Sequence, residues 1–202
     1  MNAIEIDLKP VVNLTDDQYF DLCQANCDLR IERTAQGKLI IMPPTGGETG
    51  NRNVEISYQL QAWSRQNNLG LAFDSSTEFK LPNGANYSPD ASWVIREKWN
   101  ALTTEQKQKF PPIAPDFVIE LRSQSAPGTV SKTDSMTQLR KKMQEYIDSG
   151  VRLGWLIDPE NRTVEIYRIN QSKRTIQDAE SLSGEEVLPE FVLDLRPVFA
   201  SI

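Results

Sequence analysis

The stretch Pro115–Ser123, PDFVIELRS, is the most convincing buried strand in the sequence. Side chains alternate along a strand, so three large apolar residues fall on one face while Glu120 and Arg122 share the other. A carboxylate inside a sheet is costly unless it is paired or binds a cation. Glu120 therefore indicates either a compensating base or a functional site on this face of the sheet.

A second carboxylate precedes another strand-like stretch, Tyr87–Ile95, YSPDASWVI. By the same alternation Asp90 shares a face with Ser92 and Val94. If the two strands pair, Asp90 and Glu120 face each other about 5 Å apart across the ladder. Two carboxylates at that distance resist double ionisation unless a cation lies between them. A magnesium ion would suit such a pair and would leave positions for a phosphate and a water.

The same residues also allow a purely structural interpretation. A Pro-Asp pair is a common turn dipeptide, so Asp90 can be a turn residue. Glu120 can form an ion pair with Arg122, its neighbour on the same face, or with another base. The spacing of the residues leaves both interpretations open.

A helix predicted over Asp134–Gly150, DSMTQLRKKMQEYIDSG, follows a loop predicted over residues 125–133. Lys141 points away from the apolar stripe of this helix, so we expect it in solvent. Arg140 and Lys142 flank the stripe on opposite sides, and either could reach a site at the sheet surface, although a flanking lysine often only snorkels. The stripe consists of Met136, Leu139, Met143, Tyr146 and Ile147.

The order of predicted elements indicates an α/β (α+β) domain with a mixed central sheet flanked by helices. An N-terminal helix begins at Thr15, with Gln18 completing a capping box, and a β-hairpin turns at Gly37. A long helix near 47–66 has two apolar stripes and is expected to pack on both sides. These stripes are Ile56, Leu60 and Trp63, and Val54, Tyr58 and Ala62.

The 202-residue chain contains no histidine, and its two cysteines are Cys23 and Cys27. Histidine-dependent nucleophilic catalysis and histidine-based metal sites are therefore excluded. Any metal would take oxygen ligands, which suit magnesium, calcium or manganese. The net charge of −6 and the pI of about 4.9 argue against general nucleic-acid binding but leave room for a local basic site.

The N-terminal segment MNAIEIDLKPVV has no basic stretch followed by an apolar run. No segment approaches the ~20 apolar residues of a membrane span. We therefore expect no signal peptide and no membrane segment, and a cytoplasmic location by default.

Several motifs in this order resemble the Uma-two family of restriction-endonuclease-like proteins, namely SPDASWV, PDFVIELRS, LRKKMQEYIDSG and LGWLIDP. The resemblance runs from about Leu29 to the end of the chain. It implies a restriction-endonuclease-like domain over residues 29–202, preceded by an N-terminal helical extension over residues 1–28. It also implies the magnesium site of the PD-(D/E)xK nuclease superfamily, with the metal held by carboxylates on adjacent strands.

Carried over residue by residue, the resemblance makes Asp90 and Glu120 metal ligands and catalytic residues. It matches Lys142 to a catalytic lysine on the following helix, where it would orient a water or stabilise developing charge. Glu48, at the start of the long helix, matches a position that can join the metal site in related nucleases.

Two further residues are expected to contact the substrate. Arg122 stands where the nuclease pattern has a lysine; a guanidinium cannot act as a general base, but it can clamp a phosphate. Gln138, one helical turn before Lys142, is expected to line the site. Tyr146 is expected to pack, because it lies in the apolar stripe.

The resemblance and the carboxylate pair favour an endonuclease that hydrolyses DNA and depends on Mg²⁺, with Mn²⁺ as a substitute. Nucleases that cut both strands often act as dimers, so a homodimer is a further expectation. The acidic pI and Arg122 leave open a catalytically inactive binding or regulatory module with the same fold. A carboxylate-pair glycosidase is a third reading.

Overall fold

The structure, a computed structural model, describes residues 3–123 and 136–200; the loop predicted over 125–133 and the first two residues of the predicted 134–150 helix lie outside this range. Six helices form within it. None of these six is long and apolar enough to cross a lipid bilayer. The helices are α1 (Asp16–Ala25), α2 (Gly47–Asn67), α3 (Arg96–Asn100), α4 (Thr104–Gln108), α5 (Met136–Asp148) and α6 (Arg196–Phe199).

Thirteen strands lie in the same described residues, and six of them form a central sheet in the order β11-β10-β9-β8-β7-β4. The β8–β9 pair is parallel and the other neighbours are antiparallel, which confirms the predicted mixed sheet. The strands are β1 (Ile4–Ile6), β2 (Arg30–Arg33), β3 (Leu39–Met42), β4 (Gly70–Asp74), β5 (Phe79–Lys80), β6 (Asn86–Tyr87), β7 (Ala91–Ile95), β8 (Phe117–Leu121), β9 (Leu153–Asp158), β10 (Thr163–Arg168), β11 (Arg174–Gln177), β12 (Ser181–Ser183) and β13 (Val192–Asp194).

A second sheet, in the order β1-β3-β2-β6-β5, contains the predicted hairpin. Its turn places Gly37 at a φ of 86°, a backbone conformation that favours glycine. Helix α1 begins with the predicted capping box of Thr15 and Gln18 and packs on this sheet through Tyr19, which is buried beside Ile31. The division into an extension over residues 1–28 and a domain over 29–202 stays a prediction.

The central sheet buries both of its faces. Phe117 and its two apolar neighbours on the same face pack with α2, α6 and the β12–β13 hairpin. Val118, on the opposite face, packs with Met143 and Tyr146 of α5 and with Phe79 and Tyr87 of the second sheet. Polar residues on this second face therefore lie in the layer between the two sheets and α5.

The prediction that α2 packs on both sides is wrong. Ile56 and Leu60 are fully buried, but Val54 and Tyr58 of the other stripe are each 68% exposed. Both line an open cavity of about 710 Å³ between α2 and β4. Because β4 is the last strand of its sheet, no further element within residues 3–123 and 136–200 covers this side of the helix. Strands β1 and β11 and helices α3 and α6 have no counterpart among the predicted elements.

Two glycines test how closely the layers pack. A Cβ atom at Gly70 would overlap the carbonyl oxygen of Val94 and the indole ring of Trp93, neither of which can move aside. At Gly154 the nearest atom is the flexible end of Met143, which can rotate away. We expect Gly70→Ala to lower the free energy of unfolding by about 2–3 kcal/mol and Gly154→Ala by less than about 1 kcal/mol, measured by urea denaturation. Equal losses in the two variants would contradict this account.

Candidate active site

Asp90 and Glu120 lie side by side at the ends of two neighbouring strands. Strand β7 pairs with β8 so that Ala91 is opposite Ile119, and the same register carried one residue further places Asp90 opposite Glu120. The backbone N–H of Leu121 donates to Oδ2 of Asp90 over 2.8 Å. Both carboxylates are buried, so Asp90 is not an exposed turn residue.

Lys142 is the base beside Glu120. Its Nζ lies 2.9 Å from Oε1 of Glu120 and 2.9 Å from Oε1 of Glu32. Helix α5 carries it into the polar layer beside its apolar stripe, whereas Lys141 is exposed, as predicted. Arg140, the other flanking base, instead donates to Glu165.

Two hydrogen bonds fix the carboxylates that hold Lys142. The hydroxyl of Tyr146 donates to Oε1 of Glu120 over 3.0 Å, so this residue packs as predicted and also binds the site carboxylate. The backbone N–H of Ser88 donates to Oε1 of Glu32 over 2.9 Å. The ammonium therefore links α5, which carries it, to both β8 and β2.

Helix α2 reaches the site through Asn53. Its Nδ2 donates to Oδ1 of Asp90 over 3.3 Å. Its Oδ1 is buried and has no hydrogen-bond partner among the described residues. A buried acceptor without a donor is costly, so this oxygen is a candidate for a bound cation or water beside Asp90.

Arg30 brings a second cation to the carboxylates. It lies on β2 two residues before Glu32, on the same face of the strand, and its Nη2 donates to the carbonyl oxygen of Ser88 over 2.8 Å. Burial lowers the pKa of Arg30, but the charges of Asp90, Glu32 and Glu120 outweigh burial and raise it. The guanidinium is therefore charged within this cluster.

Burial dominates the pKa values of the site acids. Desolvation raises the pKa of Asp90, although Arg30 and the Leu121 N–H oppose it. It also raises the pKa of Glu120 to about 7, against the attraction of Lys142. Burial lowers the pKa of Lys142, but the charges of Glu120 and Glu32 outweigh this effect and raise the pKa. Lys142 therefore stays protonated.

Two of the other predicted site residues form ion pairs with residues outside the carboxylate pair, and the third is exposed. Arg122 donates from Nη1 to Oδ2 of Asp158 over 2.7 Å and pairs with Glu160 at 3.1 Å. The side chain of Glu48 is 44% exposed and forms an i,i+4 ion pair with Arg52. Gln138 is exposed in the first turn of α5. The structure thus brings together Asp90, Glu120 and Lys142, and the roles of all six residues stay predictions.

Sequence reasoning missed four polar contributors to the site: Arg30, Glu32, Asn53 and the hydroxyl of Tyr146. One signal was available in the hairpin strand, where Arg30 and Glu32 alternate with the buried Ile31. Two charged side chains on one face of a strand predict a polar environment there. Nothing in the spacing shows that this face meets β8 and α5, because the contact joins distant parts of the chain.

The donor set fits a hard divalent cation. Asp90 and Glu120 are carboxylates on adjacent strands, and the unpartnered amide oxygen of Asn53 stands beside Asp90. Magnesium and manganese take oxygen ligands of this kind. Within the described residues no group of three acidic, cysteine or histidine side chains is arranged to hold a metal, so an ion here would use an amide oxygen or water as well.

Comparisons with known proteins give the family and the fold. The model of the Uma2 family, described as "Putative restriction endonuclease", matches residues 16–196. A crystal structure described as "a putative nuclease belonging to DUF820 from Anabaena variabilis ATCC 29413" aligns with a TM-score of 0.69 and 21% identity, covering 92% of this chain and 97% of the other. No curated protein matches the chain significantly.

The structural likeness defines the class of fold, which is the fold of that nuclease. The family match is more specific, since it spans most of the chain. The protein belongs to the Uma2 family, as the sequence motifs indicated.

The contribution of the Lys142 ammonium to stability can be tested by removing its charge. Lys142→Met keeps most of the side-chain volume but leaves Glu32 and Glu120 buried without their cation. Removing one partner of a buried ion pair typically costs about 3–5 kcal/mol, so we expect a loss of this size in the free energy of unfolding.

The neighbouring Lys141→Met is the matched control, because Lys141 is 70% exposed and lies 3.8 Å from Glu145. We expect it to change stability by less than about 1 kcal/mol in urea denaturation. Similar stabilities for the two variants would show that the buried ammonium makes no net contribution.

Glu78 is a further buried acid near the cluster, and its raised pKa predicts a pH dependence of stability. Burial raises the pKa of Glu78 to about 8 from an ordinary value of 4.5, and a hydrogen bond from the Tyr19 hydroxyl opposes it. Between these values the folded protein keeps a proton that the unfolded chain releases, so stability falls as pH rises through this window, by up to about 1.4 kcal/mol per pH unit.

Glu78→Gln keeps an acceptor for Tyr19 and removes the titration. We expect its stability, relative to the native sequence, to increase as pH rises from 5 to 8, measured by denaturation at several pH values. The exposed Glu186→Gln is the control. Parallel pH profiles for the native protein and Glu78→Gln would rule out a raised pKa at Glu78.

Proposed function

We propose that the protein is a magnesium-dependent endonuclease that hydrolyses phosphodiester bonds in DNA. The observation that supports this most directly is the buried arrangement of Asp90, Glu120 and Lys142, with the lysine 2.9 Å from the glutamate. Membership of a family described as "Putative restriction endonuclease" supports the same class of reaction. Manganese would replace magnesium at such oxygen ligands.

Asp90 and Glu120 would hold the cation, with the amide oxygen of Asn53 as a candidate further ligand. When bound, magnesium supplies Lewis-acid chemistry, polarising a phosphoryl oxygen and lowering the pKa of a bound water. The Leu121 N–H and Asn53 amide orient Asp90, and Tyr146 orients Glu120. These contacts preorganise the two carboxylates before substrate binds.

Lys142 would stabilise negative charge that develops on the scissile phosphate, or orient the attacking water. Its ammonium stays protonated because Glu120 and Glu32 both face it, so it acts as a hydrogen-bond donor and not as a general base. A fixed cation in a buried site is more effective than one in water, since the surroundings screen it less.

The net charge of −6 is compatible with DNA as substrate if cations are concentrated at the site. Arg30 and Lys142 supply such cations beside the carboxylates. Cutting both strands would take two copies of this site, so a homodimer belongs to the proposal. A cytoplasmic location, where DNA and magnesium are both available, belongs to it as well.

The test is cleavage of supercoiled and linear DNA with magnesium or manganese. We expect Asp90→Asn and Glu120→Gln each to reduce the cleavage rate by at least about a hundredfold, because each removes a charged ligand of the cation. Glu186→Gln, at an exposed position outside the cluster, is the control and should cleave at the native rate.

Cleavage that survives both site substitutions would overturn the proposal. Calorimetric titration with manganese adds an independent readout, and Asp90→Asn should abolish binding. Manganese binding without cleavage of DNA or RNA would instead support a non-catalytic module with this fold.

A further inference from the structure

Two arginines, Arg122 and Arg30, are candidates for binding a phosphate group of the substrate. Arg122 follows Glu120 by two residues, but its guanidinium is engaged by two acids, Asp158 at 2.7 Å and Glu160 at 3.1 Å. Asp158 is buried, so moving Arg122 toward a substrate would leave that carboxylate without its counter-charge. Arg122 is therefore committed to a structural ion pair at the end of β9.

Arg30 stands in a different setting. It interacts electrostatically with Asp90, Glu32 and Glu120, which include both expected cation ligands. Among the described residues its guanidinium forms one hydrogen bond, from Nη2 to the carbonyl oxygen of Ser88 over 2.8 Å. Its Nε is buried and has no hydrogen-bond partner among the described residues. A guanidinium carries five N–H donors, so donor capacity remains beside the carboxylates.

The backbone holds Arg30 in place. It lies on β2, where it pairs with Met42 of β3 in the hairpin. Ser88, which accepts its hydrogen bond, is two residues before Asp90 and also donates its N–H to Glu32. The side chain is half-buried, so part of it stays accessible to a ligand. Arg30 is thus held by the segment that carries Asp90, while part of its side chain remains accessible to solvent.

We propose that Arg30 binds the scissile phosphate of the nucleic-acid substrate, the role that the sequence pattern suggests for Arg122. The inference rests on the proposed nuclease function and names the residue that recognises the substrate there. A planar guanidinium binds two phosphate oxygens at once, which gives orientation as well as charge.

The test compares Arg30→Gln with the matched variant Arg122→Gln. Binding of a fluorescein-labelled DNA duplex is measured by anisotropy at several salt concentrations, with saturating calcium in place of magnesium to slow hydrolysis. We expect Arg30→Gln to weaken binding by about tenfold to a hundredfold. The slope of log affinity against log salt should become shallower by about one, because one phosphate contact is lost.

Arg122→Gln is expected to keep the native affinity and the native salt slope. A purely structural effect of Arg30 would lower thermal stability without changing the salt slope, so the slope separates the two roles. Native affinity and slope in Arg30→Gln would overturn the inference, and so would the loss appearing in Arg122→Gln instead.

Arg30→Lys covers the case in which Arg30→Gln does not fold. It keeps a positive charge near Asp90 but loses the two-donor fork, so we expect an affinity loss smaller than that of Arg30→Gln. Native affinity in Arg30→Lys would overturn the proposed contact.

The binding assay also separates this inference from the proposed function. DNA binding in calcium without any cleavage in magnesium or manganese would contradict the nuclease proposal, while the binding of the variants would still decide the role of Arg30. If the native protein bound neither duplex DNA, single-stranded DNA nor RNA, Arg30 would have no phosphate ligand and the inference would fall.

Discussion

The site depends on one buried cation, the ammonium of Lys142, which contacts a carboxylate oxygen of Glu120 and one of Glu32 at 2.9 Å each. Burying a carboxylate without a counter-charge is costly, and here three of them share one polar layer. Lys142 offsets that cost for two acids at once. Because Lys142 lies on α5 and its two carboxylate partners lie on β8 and β2, the same interaction also joins the second sheet to the central sheet.

The remaining charges follow from this arrangement. Lys142 forms ion pairs with Glu120 and Glu32, and Arg30 lies near Asp90. Each of the three carboxylates therefore has a cation close to it. Burial still raises the pKa of Asp90 and Glu120, and this marks a site that would gain from a further positive charge. An acidic protein can in this way keep the local electrostatics that a phosphodiester substrate needs.

The paired carboxylates were predictable from the sequence because they depend on short-range rules. Alternation assigns Asp90 and Glu120 to the same face of their strands, and apolar runs identify the strands themselves. The position of Lys142 beside the apolar stripe of α5 is also a local property, and the stripe orients the helix. By contrast, Val54 and Tyr58 look like a second buried stripe, yet in the described part of the chain no element lies beyond the edge strand β4 to cover them.

The sequence by itself determined most of the order of elements, the mixed sheet, the family and the carboxylate pair, since periodicity and local motifs encode them. Only the tertiary structure decided which polar groups meet these carboxylates. Arg30 and Glu32 come from a hairpin far earlier in the chain, and Asn53 comes from a helix on the other side of the site. It also decided that Arg122 pairs with Asp158. Such contacts arise from the packing of layers, which spacing along the chain does not specify.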